Sequence, residues 1–127
     1  MEDIHIKGSK DIYIIPTVDF SVSSGKCIIS GESFLEETAK FYTPLIEWIK
    51  NYKTIADSIE FVIKLSYFNT STSKWILNLL NELKRFEKLG GKVTIFWYYH
   101  QEDVDMRDDI IDYMSDSNLD IKMFPFD

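Results

Sequence analysis

Residues 59–99 read IEFVIKLSYFNTSTSKWILNLLNELKRFEKLGGKVTIFWYY. The first ten are largely apolar and rich in β-branched and aromatic residues, the composition of a strand buried inside a sheet. SKWILNLLNELKRFEKL, 73–89, changes period. Its Trp75, Ile76, Leu79, Leu80, Leu83 and Phe86 recur at the spacing of a helix with one apolar face. Gly90-Gly91 ends that helix, and KVTIFWYY, 92–99, is a second buried strand. Strand, helix, strand at these lengths builds a parallel sheet with right-handed crossovers.

The pattern extends in both directions. Downstream, DVDMRDDIIDYM, 103–114, reads as a helix and LDIKMF, 119–124, as a closing strand. Upstream, the apolar runs IYIIPTVDFSV, 12–22, and KCIISG, 26–31, are separated by Ser23-Ser24-Gly25, a hairpin with Gly25 supplying the turn. Pro16 suggests an edge position or a bulge in the first run. From Ser33 to Tyr52 the period is helical, with Phe41, Leu45, Trp48, Ile49 and Tyr52 on one face and Glu36 and Glu37 in the first turn, at the positive end of the dipole. Pro44 removes an interior hydrogen bond. It predicts either a kink or a break, with one helix ending near Tyr42 and a second capped by Thr43. The fold expected is α/β: one domain over residues 1–127, its mixed sheet formed by an N-terminal hairpin followed by βαβαβ.

Composition narrows the function. The chain is 45% hydrophobic and 15% aromatic, too rich for a disordered segment. No apolar run approaches the roughly 20 residues that cross a bilayer, and MEDIHIKGSK lacks the apolar stretch of a signal peptide. A cytoplasmic location without membrane insertion is therefore expected. With a net charge of −7, the chain has no basic patch for phosphates. Its longest basic grouping, Lys84-Arg85 with Lys88, is interleaved with Glu82 and Glu87 on one helix, so no nucleic-acid partner is expected.

Catalytic signatures are absent: there is no GxSxG, GxxxxGK[ST] or GxGxxG. His5 and His100 are distant in sequence, and the single cysteine, Cys27, lies in an apolar run and reads as core. Glu102, Asp103, Asp105, Asp108 and Asp109 offer oxygen ligands without the calcium-loop spacing, and acidic residues at a helix start serve capping equally well. No cofactor and no metal are expected. In FWYY, 96–99, alternation sets Phe96 and Tyr98 on one side and Trp97 and Tyr99 on the other. Helices on both faces of the sheet would bury all four.

NTSTS, 69–73, sits where a strand hands over to a helix, at the end of a parallel sheet where sites tend to form. One hydroxyl is enough for a cap. None of the four is followed three residues later by Glu or Gln, so the reciprocal capping box is missing. A helix start also favours a phosphoryl group, whether bound as a ligand or attached to a hydroxyl.

These residues carry a resemblance. LSYFNTSTSKWILNLLNELKRFEKLGGKVTIFWYYHQEDVDM resembles the SiaC-type regulatory phosphoproteins, supported by GESFLEE at 31–37, EWI at 47–49, the WYY strand end and FPF at 124–126. The family pattern Tyr-Leu-Asn-Thr-Ser-Ser meets Tyr67-Phe68-Asn69-Thr70-Ser71-Thr72 here, departing at Phe68 and Thr72. The resemblance implies a STAS-like, non-enzymatic switch, akin to anti-sigma-factor antagonists. Thr70 would be phosphorylated by a protein kinase, with Ser71 and Thr72 as weaker acceptors, and dephosphorylated by a PP2C-type phosphatase. The unphosphorylated form would bind and activate a diguanylate cyclase, controlling cyclic-di-GMP and biofilm formation. Expected position at strand ends and the neighbouring helix start nominates Glu32, Glu36, Tyr67, Asn69, Tyr99 and His100 for partner binding. The alternative is a constitutive binding module for a nucleotide or another phosphate-bearing ligand at the same helix start.

Overall fold

The computed structural model describes residues 1–127. Its strands are β1 (Ile4–Ile6), β2 (Ser9–Lys10), β3 (Ile14–Ile15), β4 (Thr17–Phe20), β5 (Lys26–Ser33), β6 (Ser58–Phe68), β7 (Lys92–His100) and β8 (Lys122–Phe126). The helices are α1 (Thr38–Tyr52), α2 (Thr70–Lys88) and α3 (Val104–Ser117). Six strands form one mixed sheet in the order β1-β4-β5-β6-β7-β8, while β2 and β3 pair separately. β1 with β4 and β4 with β5 are antiparallel; β5 to β8 are parallel. The expected mixed α/β sheet is what the chain builds, with β6 central.

The hairpin forms between β4 and β5, and Gly25 at its end has φ +69°, where a Cβ would meet the Tyr52 hydroxyl at 2.8 Å. The upstream run is not one strand. Pro16 lies between β3, which pairs with β2, and β4, which pairs with β1 and β5. A residue without an N–H cannot continue a ladder on both sides, so the chain changes sheets there.

α1 also differs from expectation. It begins at Thr38, because β5 runs to Ser33 and the backbone of Phe34 is paired with Ile14 in both directions, at 2.9 and 3.0 Å. Glu36 and Glu37 therefore precede the first turn, Glu37 taking the cap position without a side-chain hydrogen bond. The helix continues through Pro44 as one element, without the break at Thr43. Pro44 is exposed, so water can take the hydrogen bond that the carbonyl four residues earlier loses. Tyr42 takes the buried place expected of Phe41, joining Trp48 and Tyr52 on this face. β8 starts three residues later than the pattern indicates, since α3 runs to Ser117 and Leu119 and Ile121 fill the core on the approach.

The helices cover one face of the sheet. Ile59, Phe61, Ile63 and Leu65 of β6, and Ile95 and Trp97 of β7, join a core of 26 residues with Leu45, Ile49, Leu79, Leu80 and Leu83. Each such side chain contributes about 1.5–3 kcal/mol on burial. Trp97 is fully buried and stacks on Tyr113 at 5.8 Å, which helps offset the missing partner of its indole N–H. The opposite face carries no helix. There Phe96 stays half-buried and Tyr98 exposed, correcting the expectation that both would be core.

A bulge positions the end of β6. Leu65 pairs with Gly31, but Glu32 pairs with Tyr67, so Ser66 is an extra residue in the ladder. The insertion reverses alternation. Tyr67 turns outward, 48% exposed, while Phe68 packs near Trp97 and Tyr113, and Ser33 beside it is buried.

Candidate functional site: a hydroxyl-lined helix start

α2 starts at Thr70, three residues before the apolar pattern becomes readable, and its cap is Asn69 rather than a hydroxyl. Asn69 is extended, with φ −81° and ψ 173°, and its Oδ1 accepts from the Thr72 N–H at 3.1 Å. The same oxygen accepts from Thr72 Oγ1 at 2.6 Å and Ser71 Oγ at 3.2 Å. Its Nδ2 donates to the Leu35 carbonyl at 3.3 Å. One side chain thus ties the helix start to the chain leading into α1.

The hydroxyls order themselves around this oxygen. Tyr42 donates to Ser33 Oγ at 2.8 Å. With that lone pair used, Ser33 donates to Thr72 Oγ1 at 3.0 Å, and Thr72 passes its own proton toward Asn69. Thr38 Oγ1 donates to Ser71 Oγ at 2.9 Å, and Ser73 Oγ donates to the Tyr113 hydroxyl at 2.9 Å. Ser33 and Thr72 have no exposed surface and Thr38 has 4%. Buried hydroxyls cost free energy unless bonded, and each of these is bonded. Burial pushes the phenols of Tyr42 and Tyr113 up to about 12, with Ser33 and Ser73 only partly opposing it, so both remain neutral donors.

Three of the four hydroxyls in NTSTS are therefore committed to structure. Thr70 is the exception: it is exposed, occupies the first helical position, and its hydroxyl makes no hydrogen bond. No carboxylate lies in the first turn of α2, and Lys74, one turn along, is exposed. The dipole and the free N–H groups at this end favour an anion on that hydroxyl.

The other nominated residues divide into groups. Tyr67 and Glu32 are register partners on the outward side, next to Asn69. Glu36 follows Leu35, but its carboxylate is engaged elsewhere, accepting from the Tyr13 hydroxyl at 2.7 Å. Tyr99 and His100 lie at the end of β7, and the His100 Nδ1 accepts from the Glu102 N–H at 3.2 Å. Ser33, Thr38, Tyr42 and Tyr113 escaped the sequence reading. Carrying the apolar spacing of Leu45 and Ile49 back seven residues reaches Thr38 and Tyr42, a signal that these polar groups share the core face. In the acidic group, Asp103 caps α3 by accepting from the Met106 N–H at 2.9 Å. Cys27 is buried in the core, and burial raises its thiol well above the usual range.

The start of α2 is thus a buried polar cap that leaves one threonine exposed and unbonded. The family model for SiaC family regulatory phosphoproteins matches residues 6–126. The chain belongs to that family. An uncharacterized protein of Pseudomonas aeruginosa (strain UCBPP-PA14) is 25% identical over 129 aligned positions, covering 99% of this chain and 94% of that protein. Among solved structures, apo-SiaC of P. aeruginosa superposes with a TM-score of 0.82 at 20% identity, covering 98% of this chain and 99% of that one. A chain in the crystal structure of P. aeruginosa diguanylate cyclase SiaD with its activator SiaC gives a TM-score of 0.89, also at 20% identity, covering 98% of this chain and 100% of that one. At this identity the superpositions establish a shared fold.

Proposed function

We propose that this chain is a non-enzymatic, cytoplasmic signalling switch whose state is set by reversible phosphorylation of Thr70. A protein kinase adds the phosphate and a PP2C-type phosphatase removes it. The unphosphorylated form binds and regulates a diguanylate cyclase. The observation that carries this reading is the division of labour in NTSTS: Thr70 alone is exposed and unbonded, while its neighbours hold the fold. Membership in a family of regulatory phosphoproteins supports it, as does the structural likeness to a protein that activates a cyclase in P. aeruginosa. No helix is long and apolar enough to cross a membrane.

The physical switch is electrostatic. A phosphate on Thr70 adds about −1.5 to −2 charges at the start of α2. Because Thr70 lies outside the buried network, the modification need not disturb the Asn69 cap. It changes the surface: a partner seated over Tyr67, Asn69 and Thr70 must then desolvate a dianion or move away. A loss of about 3 kcal/mol weakens binding more than a hundredfold. The constitutive phosphate-binding alternative has less room, since the Asn69 side chain already fills the helix end and the turn has no glycine.

The test combines mass spectrometry with binding. Protein purified from its native host should carry one phosphate on the peptide containing Thr70, and Thr70→Ala should abolish it without transfer to Ser71 or Thr72. In binding assays with the host's diguanylate cyclases, Thr70→Ala should retain the partner and Thr70→Glu should lose it about a hundredfold. Equal binding by the two variants would sink the switch at this residue.

A further inference from the structure

The uncovered face of the sheet has a chemistry unlike the rest of the chain. β7 and β8 place Tyr98 beside Phe124 and Phe96 beside Lys122 in register, with Phe126 one step further beside His100. Tyr98 and Phe124 stack at 5.3 Å, and Phe96 meets Phe124 at 5.6 Å. Tyr98, Phe124 and Phe126 are 36, 40 and 48% exposed. On an isolated monomer this is an apolar patch without a cover.

Two lysines frame it. The Lys64 ammonium lies 5.1 Å from the Tyr98 ring centroid and that of Lys122 5.6 Å from Phe96. Neither forms an ion pair with a carboxylate, whereas Lys26 on the same face is neutralised by Glu60 at 3.7 Å. The chain carries 21 Asp and Glu residues. None is among the side chains that β6 from Val62 to Ser66, β7 from Phe96 to His100, or β8 turn toward this face. A net charge of −7 would ordinarily scatter acids over such an area.

The patch ends in a cavity. The β6–β7 ladder stops at Ile63↔Trp97, although β6 continues to Phe68 and β7 to His100. Where the two strands part there is a cavity of about 270 Å³, with Leu65 and Met106 in its wall and Tyr98, Tyr99 and Phe126 beside them. Asp103, on the helix side of the cavity, is engaged by the Met106 N–H. The space suits one large apolar side chain.

We propose that this face docks an acidic polypeptide segment of a partner protein, its carboxylates meeting Lys64 and Lys122 and one aromatic or aliphatic anchor entering the cavity. Charge complementarity selects the occupant: cations and rings attract an anionic, apolar-studded segment. A nucleic-acid strand would bring many more charges than two lysines neutralise, against the net field of the chain. Lys64, Tyr98 and Lys122 lie on the side opposite the helices and Thr70 opens α2 on the helix side, so the two surfaces adjoin only at the strand ends, where Tyr67 turns outward. Occupancy of the patch centred on the two lysines does not depend on phosphorylation.

The probe is a fluorescein-labelled dodecapeptide alternating aspartate with leucine and one central phenylalanine, titrated into the full chain by anisotropy. Saturable binding is expected, weakened tenfold or more by Lys64→Glu with Lys122→Glu and unchanged within twofold by Thr70→Glu. Amide shifts on binding should cluster at 62–66, 96–100 and 122–126. Absence of binding, or binding indifferent to the lysine reversal, overturns the proposal. So does tighter binding of a single-stranded oligonucleotide or of anionic lipid vesicles in the same assay. Loss of peptide binding in Thr70→Glu overturns the separation of the two surfaces but leaves the phosphorylation reading intact. A failed Thr70 phosphorylation test would leave the peptide result standing.

Discussion

Asn69 is the residue on which the helix start turns. Its one oxygen accepts from a backbone N–H and two hydroxyls, and its amide nitrogen reaches the Leu35 carbonyl. Removing the side chain costs a cap and strands a buried threonine hydroxyl. Asn69→Ala should therefore lower stability by about 2 kcal/mol or more, read as a shifted urea midpoint with unchanged slope. Thr70→Ala, whose hydroxyl bonds to nothing, should stay within about 0.5 kcal/mol of the parent. That contrast separates the bonded scaffold from the unbonded threonine within one pentapeptide. The presence of a hydroxyl cluster at a strand-to-helix junction was legible in the sequence. Which member is free was not, because Ser33, Thr38 and Tyr42 come to the turn from elements up to 39 residues away.

At the scale of elements, legibility followed the strength of the local pattern. β6, α2 and β7 announce themselves through an apolar run, an apolar stripe and a second run, and Gly90 with φ +94° closes the helix between them. Failures occurred where the backbone was claimed from a distance. Residues 33–37 resemble a helix start, but pairing of Phe34 with Ile14 holds that backbone in a sheet. The extra residue at Ser66 leaves no mark in composition, yet it decides that Tyr67 faces outward and Phe68 inward. α1 keeps a proline that local propensity opposes, so tertiary packing through Tyr42, Leu45, Trp48, Ile49 and Tyr52 must outweigh it. Pro44→Ala should restore one backbone bond and raise stability by about 1 kcal/mol, part of the gain being cancelled by a more flexible unfolded chain. A fall in melting temperature would mean that the ring itself is needed there.

For the whole molecule, charge and layering set the behaviour in solution. Partial burial raises the Asp109 carboxyl above its usual range, and the neighbouring Asp112, Asp105, Asp103 and Asp108 raise it further. A carboxyl that holds its proton more tightly folded than unfolded opposes folding once the pH exceeds its unfolded value. That part of the stability is present in acid and is lost as pH rises through the folded value. Asp109→Asn should then raise the melting temperature at pH 7 by roughly 1–3 °C, with the advantage shrinking as pH falls below 4 to 5. A constant difference across that range would point to packing instead. Layering has its own consequence, at the rim of the sheet. β8 is a terminal strand, and the Phe126 carbonyl accepts from the Gln101 N–H at 2.8 Å, on the inner side. Alternation then turns the preceding peptide nitrogen, that of Pro125, to the outer side, where it has no hydrogen to offer. A foreign strand approaching this rim meets a gap in the row of donors that would register it. A ring-studded sheet face can thus stay exposed beside an edge whose broken row of donors disfavours strand-on-strand stacking through β8.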